Sequence, residues 1–270
     1  MRAIDISFPQ IGQVVTPDWW AQLKSDGWDL AIIGLWGGVS PNTEAERWLH
    51  DARASGLQAA AYVAINGSHT GDWHIAQGKA LAGTEWRRTL FCGIDVEIEG
   101  VTLDNIHEAR EALQSEAKPS IIYTGEWFWA GVLGNPTAFS NLPLWTAQYD
   151  GMATLESARP YGGWAPAPAR IVGKQYSGTG QLHGVTCDLS VFDDAWLASL
   201  LPLPQSPVSN AEEVAKDTLT LLTEAFDRLW RKRYPRTRRT ILEQVTRSAP
   251  KEIEGVAAAY EAHKRAIEAL

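Results

Sequence analysis

Asp95 and Glu97 stand two residues apart in the apolar stretch Leu90-Phe91-Cys92-Gly93-Ile94-Asp95-Val96-Glu97-Ile98, and no other spacing in the chain is so suggestive of chemistry. Residues i and i+2 of a strand point to the same side. The two carboxylates would then stand about 7 Å apart at Cα, from about 3.3 Å of rise per residue. Like charges at that separation raise one another's pKa, and burial among Leu90, Phe91, Cys92, Ile94 and Ile98 acts in the same direction. One of the pair is thereby equipped to donate a proton near neutral pH. The competing reading is a half-exposed strand whose outer face happens to be acidic.

The surrounding elements decide between these. Residues 3–7 form a short apolar run bearing Asp5. A helix follows, with Thr16 as N-cap, Pro17 in the first position, Trp19, Trp20 and Leu23 as its apolar stripe and Gly27 closing it. A strand spans 29–35. Thr43 and Glu46 have the spacing of a capping box, which opens a helix through Trp48 and Leu49 that Gly56 ends. Strands at 58–65, 120–124, 144–148, 170–176 and 185–192 join those already named, with helices at 72–82 and 102–116 between them. Strands alternating with helices eight times over predict a parallel α/β barrel, and the length suffices for one. Residues 150–169 are rich in Gly, Pro and Ala and carry no helical pattern, so the barrel is expected to be irregular.

In such a barrel the site lies at the C-terminal mouth. Asp5, Asp95, Glu97 and Asp188 all fall toward strand ends, and closure makes strands one and eight neighbours. Four acids converging on one mouth are poorly explained as a solvated surface. Paired carboxylates in an aromatic cleft are the equipment of glycoside hydrolysis, in which one acid protonates the leaving oxygen. Glu97, nearer the strand end, is the candidate general acid, with Asp95 helping to keep it protonated. Asp95 could equally orient an acetamido group of the substrate that itself attacks.

Several segments together carry a resemblance: Ile4-Asp5-Ile6-Ser7, Asp95-Val96-Glu97, Ile122-Tyr123-Thr124, Leu144-Trp145-Thr146-Ala147-Gln148-Tyr149, Gln175-Tyr176-Ser177 and Cys187-Asp188-Leu189. In this order, over about residues 3–193, the chain resembles glycoside hydrolase family 25, the Chalaropsis-type lysozymes. The resemblance implies an irregular β/α barrel that hydrolyses the β-1,4 bond between N-acetylmuramic acid and N-acetylglucosamine in peptidoglycan. It implies Glu97 as proton donor, Asp95 as its partner, and Asp5 and Asp188 as acids fixing the geometry. Tyr62, Tyr123 and Trp145 match aromatic positions near the saccharide, and Gln148 and Gln175 join them as expected substrate contacts. The chain departs from the family at Leu35-Trp36-Gly37-Gly38, where a Lys or Glu is usual, and at Val63, where His is common. Chitinase-like barrels of family 18 carry further Asp residues before Asp-x-Glu, where Leu90 and Gly93 stand here. A saccharide-binding barrel without catalysis is the alternative class.

Composition narrows the rest. Thirteen Trp suit flat sugar platforms. Trp19, Trp20 and Trp48 sit at helical spacing and are expected in packing, whereas Trp127, Trp129 and Trp145 follow or end strands. A net charge of -8 argues against a nucleic-acid binder. Cys92 and Cys187 lie in apolar runs and read as free thiols. His69 and His74 lack the spacing of a helical metal pair, so neither a metal nor a cofactor is expected. Residues 178–184, rich in glycine, read as a turn, and no Gly-x-Ser-x-Gly elbow is present. No run reaches the roughly 20 apolar residues of a membrane span. The start carries no secretory pattern, which suits a phage endolysin released from its host's cytoplasm.

The domain plan is a catalytic barrel over 1–200, a proline-rich linker over 201–208 and a small all-α module over 209–270. In that module Val214, Leu221, Leu222, Phe226 and Leu229 form one stripe, and Ile253, Val256, Tyr260 and Ile267 another. The basic run 231–239 between them is a solvated turn or an anchor for an anionic wall or membrane surface, and the helices offer a route to self-association.

Overall fold

The structure is a computed structural model that describes residues 1–7 and 14–201, and Met1–Leu201 forms one compact unit. The expected linker beyond Leu201 and the helical module lie outside the described residues.

Eight strands close a barrel in sequence order: β1 (Arg2–Ile6), β2 (Leu30–Gly37), β3 (Gln58–Ala64), β4 (Cys92–Asp95), β5 (Ser120–Gly125), β6 (Leu144–Ala147), β7 (Ile171–Leu182) and β8 (Val185–Phe192). The arc from β1 to β7 is parallel throughout. β8 departs from the parallel expectation, running antiparallel to both β7 and β1. Its direction is set by a two-residue turn, His183 and Gly184, both at positive φ, which leaves no room for a crossover helix. Residues 178–182, read as part of a turn, instead extend β7 by pairing with β8 through a bulged register.

Helices cover the outside: α1 (Pro17–Ser25), α2 (Ala45–Ala54), α3 (Gly71–Ala82), α4 (Leu103–Ser115), the short α5 (Glu126–Trp129) and α6 (Asp194–Leu200). Thr16 caps α1 by accepting from the Trp19 amide, and Thr102 with Asn105 builds a reciprocal capping box on α4. The expected Thr43–Glu46 box is absent. Glu46 instead accepts from the Thr84 amide and hydroxyl, a tertiary contact that ties α2 to the loop before β4.

Alternation along the strands divides the core into two layers. Ile4, Ala31, Ile33, Leu35, Ala61, Val63 and Ile94 face the helices, where Trp19, Trp20 and Trp48 pack as expected. Ala3, Leu30, Ile32, Ala60, Phe91, Ile121, Trp145, Val172 and Phe192 fill the barrel. Asp5, Tyr62, Asp95, Tyr123 and Asp188 continue these inward rows toward the mouth, two residues beyond an interior apolar or small residue. Val63, one of the departures from the family pattern, therefore faces α3 and not the mouth.

The β6–β7 crossover has no α-helix, as its composition foretold. Between β6 and β7 the chain is held by Lys174, fully buried, whose ammonium bonds Asp150 Oδ2 at 2.8 Å, the Met152 carbonyl at 2.9 Å and the Ser157 hydroxyl. Burial pushes the Asp150 carboxyl up, but the hydrogen bonds from Lys174, the Met152 amide and Gln148, with the Lys174 charge, together outweigh it and bring the group down to about 2.

Candidate active site

The four acids meet at the barrel mouth. Asp5 and Asp188 are direct cross-strand partners on β1 and β8. Asp95 is the last residue of β4, and Glu97 lies just past the strand end, which stops three residues earlier than the stretch to Ile98 suggested. Glu97 nonetheless keeps the inward side, because Val96 packs outward in the helix-facing layer and its amide still bonds the Tyr123 carbonyl at 2.9 Å.

Gln175 is the hub of one wall. Its amide Nε2 donates to both Asp5 oxygens, at 3.1 and 2.9 Å, and to Asp188 Oδ2 at 3.2 Å. Its Oε1 accepts from the Tyr123 hydroxyl at 2.6 Å. Expected as a substrate contact, Gln175 is instead buried and fully committed to holding the acids. A single amide between two carboxylates cannot neutralise them. Burial, and then the Asp188 charge, push Asp5 well above the usual carboxylate range, with the Gln175 hydrogen bond opposing; burial raises Asp188 to about 6.

The other wall is different. Asp95 Oδ1 and Glu97 Oε1 are buried, and neither has a hydrogen-bond partner among the described residues. Burial, then the Glu97 charge, raise Asp95 well above its ordinary value. Burial, then the Asp188 charge, raise Glu97 to about 7. Unpaired buried oxygens cost free energy, and such exceptions in native proteins concentrate where a ligand supplies the missing partner.

The aromatics form the floor and the rim. Trp145 is 1% exposed and donates from Nε1 to the Ser190 hydroxyl at 3.1 Å. It cannot stack on a sugar directly. Its ring lies 4.3 Å from Tyr123 and 6.3 Å from Tyr62, so it supports the tyrosines that face the mouth. Gly34 makes room for Tyr62, since a Cβ there would lie 2.7 Å from the phenol carbon and oxygen. Trp129 is fully buried, with Nε1 donating to the Pro136 carbonyl, and belongs to packing. Trp127 remains open at 59% exposure.

Gln148 also differs from expectation. Its Nε2 donates to Asp150 Oδ2 at 2.6 Å and the Ser157 carbonyl at 2.9 Å, and its Oε1 accepts from the Arg159 amide. These bonds shape the crossover after β6. Tyr149, by contrast, was quoted only as part of a segment, yet it is 58% exposed at the mouth. Burial of its hydroxyl raises its pKa to about 12, with the neighbouring Tyr123 hydroxyl pulling the other way and the Glu97 charge adding to the rise. The signal was available: Trp145, Ala147 and Tyr149 share a period-2 face.

His69 and His74 hold no metal arrangement, and no cluster of metal-ligating side chains occurs among the described residues. His74 Nδ1 accepts from the Trp36 indole, while His69 stacks on Trp73 at 3.9 Å.

Comparisons with known proteins agree with this geometry. A solved muramidase from Acremonium alcalophilum superposes with a TM-score of 0.59 at 20% identity, covering 74% of this chain and 98% of that one. The catalytic domain of endolysin ply40 from bacteriophage P40 of Listeria monocytogenes gives 0.53 at 17% identity, covering 74% and 96%. At these identities the likeness is one of fold. In sequence, a probable GH family 25 lysozyme 2 of Dictyostelium discoideum is 27% identical over 208 residues, 68% of this chain and 90% of the relative. The model of glycosyl hydrolases family 25 matches residues 4–185, a span that takes in Asp5, Asp95 and Glu97 and stops three residues short of Asp188, so the chain belongs to that family of hydrolases.

Proposed function

We propose that the chain is an N-acetylmuramidase that cuts the β-1,4 bond between N-acetylmuramic acid and N-acetylglucosamine, with Glu97 as the general acid. The observation that carries this reading is the pair of buried, unpartnered oxygens on Asp95 and Glu97 beside a carboxyl raised to about 7. Near neutral pH Glu97 is about half protonated, the state that favours proton transfer to a leaving group.

The steps follow from that arrangement. Glu97 gives its proton to the bridging oxygen as the bond from that oxygen to the anomeric carbon breaks. The acetamido oxygen of the same sugar attacks the anomeric carbon, forming a cyclic oxazolinium ion, while Asp95 accepts a hydrogen bond from the acetamido N–H and balances the developing charge. Glu97, now a carboxylate, takes a proton from water as that water adds to the anomeric carbon and reopens the ring. Two displacements at one carbon give net retention. Asp5 and Gln175 hold Asp188 in place, and the Asp188 charge helps to keep the Glu97 proton on. Tyr62, Tyr123 and Tyr149 supply the aromatic faces that meet the sugar.

The test is digestion of purified peptidoglycan with mass spectrometry of the released muropeptides. The expected products carry a reducing N-acetylmuramic acid, and Glu97→Gln releases none. Saccharide binding without any new reducing ends would identify the non-catalytic barrel and overturn the reading. A role as phage endolysin is the finer proposal; it rests on the pairing of this barrel with the basic run 231–239, and lysis of host cells only when their membrane is permeabilised is its expected signature.

A further inference from the structure

A cleft of about 180 Å³ is lined by Glu126, Trp127, Thr146, Gln148, Arg159 and Tyr161. It sits over the ends of β5 and β6, one and two strands from the β4 that carries Asp95, or about 5–10 Å at the usual interstrand spacing. The Tyr161 hydroxyl donates to the Thr124 carbonyl at 2.9 Å and lies 3.1 Å from the Thr146 hydroxyl; burial raises its pKa, the Thr146 hydrogen bond opposes, and the Glu97 and Glu126 charges add to the rise.

The charges in this cleft are unspent. Arg159 is exposed, and its guanidinium makes no hydrogen bond or ion pair with any described residue; the same is true of the Glu126 carboxylate. Arg159 is nevertheless positioned, because its backbone amide is fixed to Gln148 Oε1 at 3.0 Å within the crossover that Lys174 and Asp150 lock. Trp127 adds an open indole face between the two charges' elements. A neutral sugar ring needs neither a cation nor an anion. A site that sets one of each beside an aromatic face and hydroxyls fits a ligand bearing a carboxylate, a free ammonium and an amide backbone.

We propose that this cleft is a subsite for the peptide stem attached to the glycan, with Arg159 receiving a stem carboxylate and Glu126 the side-chain ammonium of its diamino acid. The inference rests on the muramidase reading and deepens it: the enzyme selects peptide-bearing glycan over bare glycan. Both charges act through hydrogen bonds assisted by charge, and the removal of one is expected to cost about five- to tenfold in kcat/KM.

The experiment compares kcat/KM of the full chain on three substrates: intact peptidoglycan, peptidoglycan whose free amines have been acetylated, and glycan stripped of peptide by an amidase. The expected order is intact, then acetylated, then stripped. Arg159→Gln lowers the intact-to-stripped ratio by about five- to tenfold while leaving the intact-to-acetylated difference in place, and Arg159→Lys restores part of the loss, which a merely structural defect would not. Glu126→Gln removes the difference between intact and acetylated wall. Equal kcat/KM on all three substrates, with hydrolysis still abolished in Glu97→Gln, overturns the subsite and leaves the muramidase standing. No hydrolysis of any of the three overturns both.

Discussion

Two walls of the same mouth treat their carboxylates in opposite ways. On the β1, β7 and β8 side, Asp5 and Asp188 are tied to Gln175, and Gln175 to Tyr123, so each polar group has a partner within the protein. On the β4 side, Asp95 Oδ1 and Glu97 Oε1 have none. The first wall spends its hydrogen bonds on shape, and the second keeps them for something that binds. Exposed saccharide contacts alone would not require that asymmetry. The proposed roles of Glu97 as proton donor and Asp95 as partner of an acetamido group account for it.

Substitutions on the two walls should therefore fail differently. The largest effect is expected at Glu97: Glu97→Gln lowers kcat by about 10³- to 10⁴-fold, measured by reducing-end release, with no loss of folding stability. Asp95→Asn follows at about 10²- to 10³-fold, because a neutral amide accepts the acetamido hydrogen bond but cannot balance its charge. Gln175→Leu reverses the pattern. It leaves Asp5 and the Tyr123 hydroxyl buried without a partner, and the expected result is a loss of about 2–3 kcal/mol in denaturant unfolding, with activity following from the distortion. Equal damage to stability from Glu97→Gln and Gln175→Leu would erase the contrast.

A smaller effect concerns pH. Glu97 and Asp188 are raised to about 7 and about 6 in the folded protein, above their ordinary 4.5 and 3.8. Between about pH 4 and 7 the folded state thus holds protons that the unfolded chain has released, and stability falls as pH rises through that window. The Asp150–Lys174 pair has the opposite sign. The depressed Asp150 stabilises above the ordinary carboxylate range, and that contribution is lost as pH falls toward about 2. Urea midpoints at pH 4.5 and 7.5 measure the first trend, and Asp188→Asn is expected to flatten it.

Much of this arrangement was legible in the sequence, for physical reasons that also explain the rest. Alternation in 90–98 placed Asp95 and Glu97 on one side, and ring closure placed Asp5 beside Asp188. Both follow from the two-residue period of strands and need no tertiary detail. The antiparallel β8 was hidden because its cause is a single His183–Gly184 turn inside a glycine-rich segment that reads equally well as a loop. Glu46 matched a cap by spacing, but a partner 38 residues away in Thr84 claimed its carboxylate. Trp145, Gln148 and Gln175 were legible as members of the site and not as to role: one row deeper or one hydrogen bond away, a residue that resembles a sugar contact becomes a support. The charged cleft at Glu126 and Arg159 left no pattern at all, since its two charges come from α5 and from the crossover after β6, 33 residues apart.

The proposed role of Glu97 requires its carboxyl to hold a proton near neutral pH, with Oε1 buried and without a partner among the described residues and the Asp188 charge adding to the rise. A carbon-13 titration of the glutamate side chains, with Glu97→Gln used to assign the resonance, measures this directly. The account predicts a midpoint of about 7 for Glu97 that falls in Asp188→Asn. A midpoint near the ordinary 4.5, unmoved by that substitution, would contradict it.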